Sequence, residues 1–68
     1  MENGILSQRE KQILSMIAED FTNKEIADRL GISVKTIDCH RARIKEKLNT
    51  TGVAGMVRYA IRTGLVKP

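Results

Sequence analysis

The sequence has little that could cross-link a fold or bind a metal. Cys39 is the only cysteine among 68 residues, so the chain cannot form an internal disulfide or supply the ligands that structural zinc requires. The single proline, Pro68, leaves every potential helix uninterrupted. We therefore expect a domain that needs no cofactor or metal and is held together by the packing of helices.

Aromatic residues and long hydrophobic runs are also scarce. Phe21 and Tyr59 are the only aromatic residues, which gives little support for base stacking on single-stranded nucleic acid. Phe21 is better explained as a plug between the first two helices. No apolar run approaches the roughly 20 residues of a membrane helix, and the acidic start at Met1-Glu2 lacks the basic and apolar regions of a secretory signal. We therefore expect a cytoplasmic protein without a membrane segment.

No constellation of residues predicts catalysis. Cys39 and His40 are adjacent, but the sequence offers no third residue at a plausible spacing to complete a nucleophilic site, and no cluster of metal ligands. His40 fits either the edge of a helical core or a position near a phosphate. We therefore expect a binding protein and not an enzyme.

The basic residues are concentrated in the second half of the chain. Residues 1–32 contain four basic and six acidic residues, whereas residues 33–68 contain eight basic and two acidic residues. The net charge thus changes from −2 to +6 along the chain, for a total of +4. Neutralisation of phosphates by a basic surface supplies much of the affinity for nucleic acids. A solvated basic face is an equally frequent explanation, so charge alone leaves both interpretations open.

Hydrophobic spacing and stop signals predict four helices and no strand, which is an all-α fold. Ser7 and Glu10 form the S/T-x-x-E capping box that starts the first helix. Near the other end, Gly64 stops the last helix, and Leu65 and Val66 are predicted to fold back onto the core. The helices are predicted over residues 8–19, 23–30, 34–48 and 53–63, within a single domain that covers residues 1–68 and begins with an extension of residues 1–5.

The second and third helices have the spacing of a helix-turn-helix over about residues 22–41. Thr22 and Glu25 form a second capping box, Ser33 caps the next helix, and Gly31 supplies the left-handed conformation that ends the first of the pair. A helix-turn-helix presents its second helix to the major groove of duplex DNA. The chain is therefore predicted to bind double-stranded DNA in a sequence-specific manner.

The third predicted helix determines which bases are read. Ile37, Ile44 and Leu48 lie within about 40° of one another at 100° per residue and should face the core. Recognition helices contact base edges through the N-terminal half of their exposed side. The candidates for base contact on that side are Lys35, Asp38, Cys39 and Ala42.

These four candidates offer different contacts. Ala42 and Cys39 can pack against thymine methyl groups, and Lys35 can donate to guanine or to a phosphate. Asp38 can accept a hydrogen bond from a cytosine amino group, but its charge repels phosphates unless it points into the groove or pairs with an arginine. A carboxylate that is favoured by the helix dipole is an equally good explanation of Asp38.

Contacts with phosphates are assigned to cations and hydroxyls that flank the same surface. Lys24 and the free amides at the start of the second helix can hold one phosphate. Arg41 lies only about 40° from Ile37 on the helical wheel and is equally well placed to pair with a carboxylate such as Glu10. The residues predicted to contact phosphates are Lys24, Ser33, Thr36, Arg41 and Arg43.

A set of spaced residues runs along nearly the whole chain, from Leu6 to Val66. It comprises Leu6-Ser7-x-Arg9-Glu10-x-x-Ile13-Leu14-x-x-Ile17-Ala18, Thr22-Asn23-Lys24-Glu25-Ile26-Ala27-x-x-Leu30-x-Ile32-Ser33-x-x-Thr36-Ile37-x-x-His40, Ile44-x-x-Lys47-Leu48 and Gly64-Leu65-Val66. These segments resemble the LuxR-type (GerE-like) DNA-binding domain. Arg41 after His40, together with Val57-Arg58, further resembles the FixJ and NarL subgroup of response regulators.

The resemblance implies a four-helix domain whose fourth helix joins two copies on paired half-sites. It further implies a transcription regulator that acts as the output domain of a two-component response regulator, forms a homodimer on DNA and has RNA polymerase as a potential partner. The chain departs from the family pattern at Asn49-Thr50, at Val53 and at Gly55-Met56. The residues that the resemblance assigns to dimerisation are Val53, Met56, Val57 and Ala60.

Three other interpretations fit parts of the sequence. The promoter-reading helix-turn-helix of sigma factors starts with a similar Leu-Ser-x-Arg-Glu, but residues 36–40 and the fourth helix favour the LuxR type. A protein-interaction module would bind a partner helix on the apolar side of the fourth helix, with an incidental basic face. An RNA-binding helical module would be distinguished by competition with structured RNA.

Overall fold

The computed structural model of the protein describes residues 5–67, which form four helices and no strand. The all-α prediction is therefore confirmed. Of the predicted N-terminal extension only Ile5 is described, and Pro68 also lies outside the described residues. The helices are α1 (Gln8–Ala18), α2 (Asn23–Leu30), α3 (Val34–Leu48) and α4 (Val53–Arg62). The second and third have the predicted bounds, whereas the first and fourth each end one residue early.

Both predicted capping boxes are present and fix where α1 and α2 begin. The Glu10 amide donates to Ser7 Oγ at 3.1 Å, and the Ser7 amide donates to Glu10 Oε1 at 2.9 Å. The Glu25 amide donates to Thr22 Oγ1 at 3.1 Å, and the Thr22 amide donates to Glu25 Oε1 at 2.8 Å. Each box satisfies two amides that the first turn of a helix leaves without an intrahelical partner.

One hydrophobic core receives residues from all four helices. Of the predicted inward stripe of α3, Ile37 and Ile44 are fully buried, while Leu48 is half-buried and packs against the core. The chain after α4 folds back as predicted, because the amides of Leu65 and Val66 donate to the Ala60 carbonyl at 2.8 and 3.2 Å. The core consists of Leu6, Ile13, Leu14, Ile17, Ile26, Ala27, Ile37, Ile44, Met56 and Ala60.

Phe21 lies between α1 and α2 along the chain and packs against this core while remaining half-buried. The Arg29 guanidinium lies 4.6 Å from the centroid of its ring, a distance at which a cation is attracted to the aromatic face. This packing agrees with the prediction that the Phe21 side chain fills the space between the first two helices. The arginine therefore covers one face of the ring.

The burial of α4 corrects part of the predicted dimer face. Met56 and Ala60 have no exposed surface, because α4 packs on both α1 and α3 and these two side chains enter the core. They cannot contact a second copy while the domain is folded. Val53 is 45% exposed and Ile61 is 38% exposed, and Val57 between them is half-buried. The accessible apolar edge of α4 is therefore formed by Val53, Val57 and Ile61.

The one buried charged residue among residues 5–67 is Glu10, which is 2% exposed. Its Oε1 accepts from Lys47 Nζ at 2.8 Å as well as from the Ser7 amide. Glu10 therefore ties the start of α1 to the last turn of α3. The alternative that Arg41 pairs with Glu10 is wrong, since Lys47 occupies that position, and within residues 5–67 Arg41 makes no ion pair.

Gly55 is required where α4 passes the end of α3. A Cβ atom on Gly55 would overlap Thr50 Oγ1 and come within 2.8 Å of Thr50 Cβ. Thr50 cannot easily move away, because its amide donates to the Lys45 carbonyl at 3.0 Å and so closes the end of α3. The small residue at position 55 therefore sets how closely α4 approaches the segment after α3.

We expect Gly55→Ala to lower the free energy of unfolding, even though alanine is the better helix former. Overpacking costs typically 1–3 kcal/mol, against a gain of up to about 1 kcal/mol in helix propensity. Urea titration followed by far-UV circular dichroism measures the difference. Gly52→Ser is the matched control, because nothing lies within 4 Å of a Cβ there and a serine could cap α4, which has no side-chain cap. An unchanged Gly55→Ala midpoint would contradict the close approach.

Neither a membrane-spanning helix nor a metal-binding cluster is found within residues 5–67. No helix within residues 5–67 is long and apolar enough to cross a membrane. The same residues contain no group of three or more His, Cys, Asp or Glu side chains placed to hold a metal ion.

Candidate nucleic-acid interface

The turn between α2 and α3 has the geometry that the sequence predicts. Gly31 has φ 69° and ψ 32°, in the left-handed region that glycine adopts without strain. The Ile32 amide then donates to the Ala27 carbonyl at 3.1 Å, which closes the end of α2. Ser33, two residues after Gly31, caps the start of α3, with its Oγ accepting from the Thr36 amide at 3.0 Å. The two helices thus pack on each other as a helix-turn-helix.

The outer side of α3 is accessible along its first two and a half turns. Ile37 and Ile44 are fully buried on the inner side, which leaves the opposite side free. All four predicted base-contacting residues are exposed there: Lys35, Asp38, Cys39 and Ala42. Their contact with bases stays a prediction.

Asp38 has a partner that sequence reasoning did not identify. Its Oδ1 accepts a hydrogen bond from Asn23 Nδ2 at 2.6 Å, which joins the second turn of α3 to the first residue of α2. Asp38 is therefore paired with a neutral amide, and no arginine within residues 5–67 forms an ion pair with it. No periodic pattern connects residues 23 and 38, so nothing in the sequence pointed to this contact.

The predicted phosphate contacts differ in how free they are. Lys24 Nζ lies 3.8 Å from Asp28 Oδ2, but their side chains are 80% and 73% exposed, so this weak surface pair can open for a phosphate. Ser33 and Thr36 are exposed, and their hydroxyl oxygens lie 2.9 Å apart in a mutual hydrogen bond. Arg43 is exposed, whereas Arg41 is half-buried at the edge of the core. Lys24 and Arg43 are therefore the most accessible cations of the predicted set.

Cys39 and His40 occupy different environments although they are adjacent. The Cys39 thiol is free and exposed on the outer side of α3. His40 is half-buried, and its Nδ1 is enclosed without a hydrogen-bond partner among the described residues. Successive helical residues point about 100° apart, which agrees with this difference. The structure therefore favours the core-edge interpretation of His40, and it gives no support to a nucleophile and base pair.

A shallow concavity among the described residues lies away from this surface. A depression of about 650 Å³ runs along the outer side of α1 beside the C-terminal segment, and no residue of α2 or α3 lines it. A duplex is recognised by a protruding helix that enters a groove, so a concavity is not needed for that function. The residues that line the depression are Gln8, Arg9, Lys11, Gln12, Ser15 and Leu65.

Comparisons with known proteins agree with this arrangement. The family of bacterial regulatory proteins described as the luxR family (GerE) matches residues 4–60. The oxygen regulatory protein NreC of Staphylococcus carnosus is 45% identical over 62 residues, which are 91% of this chain and 29% of that protein. The transcriptional regulatory protein MctR of Rhizobium johnstonii is 46% identical over 61 residues, 90% of this chain and 28% of that protein.

The NreC protein of Staphylococcus epidermidis is 43% identical over 63 residues, 93% of this chain and 29% of that protein. The chain thus spans less than a third of the length of these curated relatives. No solved structure matches the chain significantly.

Proposed function

The chain belongs to the luxR family of bacterial regulatory proteins, as a DNA-binding domain, and we propose that it recognises specific duplex sequences by placing α3 in the major groove. The proposal is supported by the exposure of the outer side of α3 from Lys35 to Ala42. The start of α2 is joined to this side by the hydrogen bond between Asn23 and Asp38. The side of α3 that we propose reads the groove therefore lies next to the start of α2, which we propose binds a phosphate.

The dimensions of α3 suit the proposed docking. An α-helix with its side chains is about 10–12 Å across, and the major groove of B-DNA is about 12 Å wide. Ala42 and Cys39 are small, so the helix can approach the base edges closely and pack against thymine methyl groups. Lys35 supplies a donor for guanine or for a phosphate at the first turn. Sequence would thus be read through shape and a few polar contacts.

Lys24 and Arg43 are proposed to contact the backbone on either side of that edge. Lys24 is the second residue of α2, where free amides and the helix dipole also favour an anion. Ser33, Thr36 and Arg41 complete the proposed phosphate contacts, with Arg41 reaching outward from the core edge. These contacts fix the orientation of α3 but do not discriminate between bases.

We expect Lys24→Ala and Arg43→Ala to weaken binding to all duplex sequences by a similar factor. Each lost phosphate contact should reduce the slope of log affinity against log salt concentration by about 0.9. Fluorescence anisotropy over a salt series measures both quantities. Arg58→Ala removes a cation of α4 that is also exposed and serves as the matched control, with an unchanged slope. A change in base preference with an unaltered slope would show that the residue reads bases instead.

Dimerisation on DNA is proposed to use the accessible edge of α4, formed by Val53, Val57 and Ile61. Three medium-sized apolar side chains fall short of the roughly 800 Å² per partner that stable interfaces bury. The isolated chain should therefore sediment as a monomer at low micromolar concentration and pair only on a duplex with two half-sites. A stable dimer without DNA would contradict this expectation.

The biological context is proposed from the relatives and from the resemblance to response regulators. Names such as oxygen regulatory protein and transcriptional regulatory protein describe those longer proteins. We propose that this domain has the corresponding place in a cytoplasmic response regulator and controls transcription at promoters, with RNA polymerase as a further partner.

In vitro selection from a random duplex library, at near-physiological salt, tests the proposed function most directly. Sequencing of the bound fraction should show enrichment of a defined element, in one half-site or as a two-part repeat. Competition with structured RNA separates duplex binding from RNA binding in the same experiment. Recovery of unselected sequences would overturn the proposal that α3 reads bases.

A further inference from the structure

The hydrogen bond between Asn23 and Asp38 joins the two helices of the helix-turn-helix through side chains. Asn23 Nδ2 lies 2.6 Å from Asp38 Oδ1, across 15 residues of sequence. Both groups lie at the proposed interface, with Asp38 exposed and Asn23 half-buried. A carboxylate is an acceptor only, so the amide must face it with its nitrogen, which fixes the orientation of Asn23 as well.

This contact accounts for Asp38 better than the helix dipole does. Asp38 is the fifth residue of α3, and the dipole effect falls off within the first turn of a helix. Nor does an arginine neutralise the carboxylate within residues 5–67. The neutral amide leaves the charge of Asp38 in place and restrains its direction.

The restraint has a consequence for base reading. The terminal torsion of an aspartate is broad, so an unrestrained carboxylate samples many orientations, including ones directed at phosphates. With Oδ1 held by Asn23, Oδ2 is left as the acceptor for a ligand. In the major groove the donors that an acceptor can meet are the exocyclic amines of cytosine N4 and adenine N6.

We propose that Asn23 is a positioning residue for base recognition, which holds Asp38 so that its free oxygen selects a base with an exocyclic amine at one position of the target. This inference rests on the proposed function and adds a residue from α2 to the specificity of α3. Asp38 makes the contact with the base, and Asn23 acts through Asp38.

The test compares the wild type with Asn23→Ala, Asp38→Ala and the double variant. Affinity is measured for the selected duplex and for duplexes changed at each position in turn. Asp38→Ala should lose about tenfold discrimination at one base pair, the size expected of a hydrogen bond to a charged group. Asn23→Ala should lose discrimination at that same pair, and the double variant should match Asp38→Ala because the two residues act as one unit.

Two further variants keep the test interpretable. Gln12→Ala removes an exposed amide from α1, away from the interface, and should leave base preference unchanged. Asn23→Ser also removes the Nδ2 donor while retaining a polar residue at the start of α2, so it should behave as Asn23→Ala does. Thermal unfolding of each variant verifies that the domain is folded.

The outcomes separate this inference from the proposed function. If the wild type selects no sequence, the proposed function fails and this inference fails with it. If the wild type selects a sequence but Asn23→Ala retains every preference, or weakens binding to all sequences equally, then Asn23 has a structural or phosphate-binding role and the inference alone is wrong. Loss of discrimination confined to the base pair read by Asp38 supports it.

Discussion

Replacing Ala42 by Glu is expected to abolish sequence-specific DNA binding while the domain remains folded. Ala42 is exposed on the outer side of α3, opposite the fully buried Ile44 side of the helix, so a longer side chain there disturbs no packing. In the proposed complex the glutamate would enter the groove, hold α3 away from the base edges and repel the phosphates. Specific binding usually exceeds non-specific binding by about 10³-fold or more, and most of that ratio should be lost.

Competition of a labelled target duplex against random duplex measures this loss. Gln12→Glu places the same acidic side chain on α1, outside the proposed interface, and controls for the change in net charge. Both variants should unfold at nearly the wild-type temperature. Retained specificity in a folded Ala42→Glu protein would show that α3 does not dock by its outer side.

Local signals in the sequence were sufficient to predict the four helices and the exposed side of α3. Capping boxes, a left-handed glycine and apolar spacing each act over three or four residues, and each had the predicted geometry. The exposure of Asp38 followed from the same periodicity. These features depend on neighbouring residues, which is why a single sequence reveals them.

Contacts between distant residues could not be predicted in this way. Glu10 and Lys47 meet across 37 residues, and Asn23 and Asp38 across 15. Each side chain had a plausible solvent-exposed or alternative role, and only the packing of α1 on α3 and of α2 on α3 decides which partners meet. Arg41 has the helical position for reaching Glu10, but Lys47 supplies the contact.

The assignment of Met56 and Ala60 of α4 to a dimer face was wrong for a related reason. Its apolar residues form one broad stripe, and the family resemblance assigned Met56 and Ala60 within that stripe to a dimer face. The structure divides the stripe, because α1 and α3 cover Met56 and Ala60 and leave the edge with Val53 and Ile61 uncovered. Periodicity identifies an apolar face, but it does not tell which part of that face belongs to the domain's own core.

Replacing Lys47 by Met should destabilise the domain more than replacing Glu10 by Gln. The Lys47 side chain is 35% exposed, whereas that of Glu10 is 3% exposed. After Glu10→Gln the lysine can still reach water, and the amide oxygen can still accept from Ser7. After Lys47→Met a buried carboxylate loses its counterion, a change that typically costs about 3–5 kcal/mol. A single core of this size rarely supplies more than that, so Lys47→Met should be largely unfolded at neutral pH.

The exposed pair of Lys24 and Asp28 provides the control. Lys24→Met removes the same charge from a pair that is solvated on both sides, so the urea midpoint should not change measurably. Equal destabilisation by Lys24→Met and Lys47→Met would mean that the burial of Glu10 has no energetic consequence.

The wild type and Lys47→Met should also respond to acid in opposite directions, whereas Glu10→Gln should respond little. Burial acts to raise the pKa of Glu10, but hydrogen bonds from Lys47 and Ser7 and the charge of Lys47 outweigh it, so the pKa lies below its ordinary value of 4.5. The wild type therefore has the full contribution of this pair above pH 4.5 and loses it as the pH falls through the lower folded value. Glu10→Gln has no such loss, and its stability should vary less with pH in that range.

In Lys47→Met burial is the largest single remaining influence on Glu10, opposed only by the hydrogen bonds from Ser7, so we expect burial to prevail and raise the pKa of Glu10 above its ordinary value. The folded state then binds a proton before the unfolded state does, and acidification towards pH 4.5 should recover stability instead of removing it. The folded fraction from far-UV circular dichroism, measured from neutral pH downward, gives the sign of this change in stability, and urea titration adds a midpoint wherever the folded state is populated. If the stability of Lys47→Met instead falls with pH in parallel with that of the wild type, water reaches the Glu10 carboxylate once the lysine is gone. In that case Lys47 is not the residue that allows a buried acid between α1 and α3.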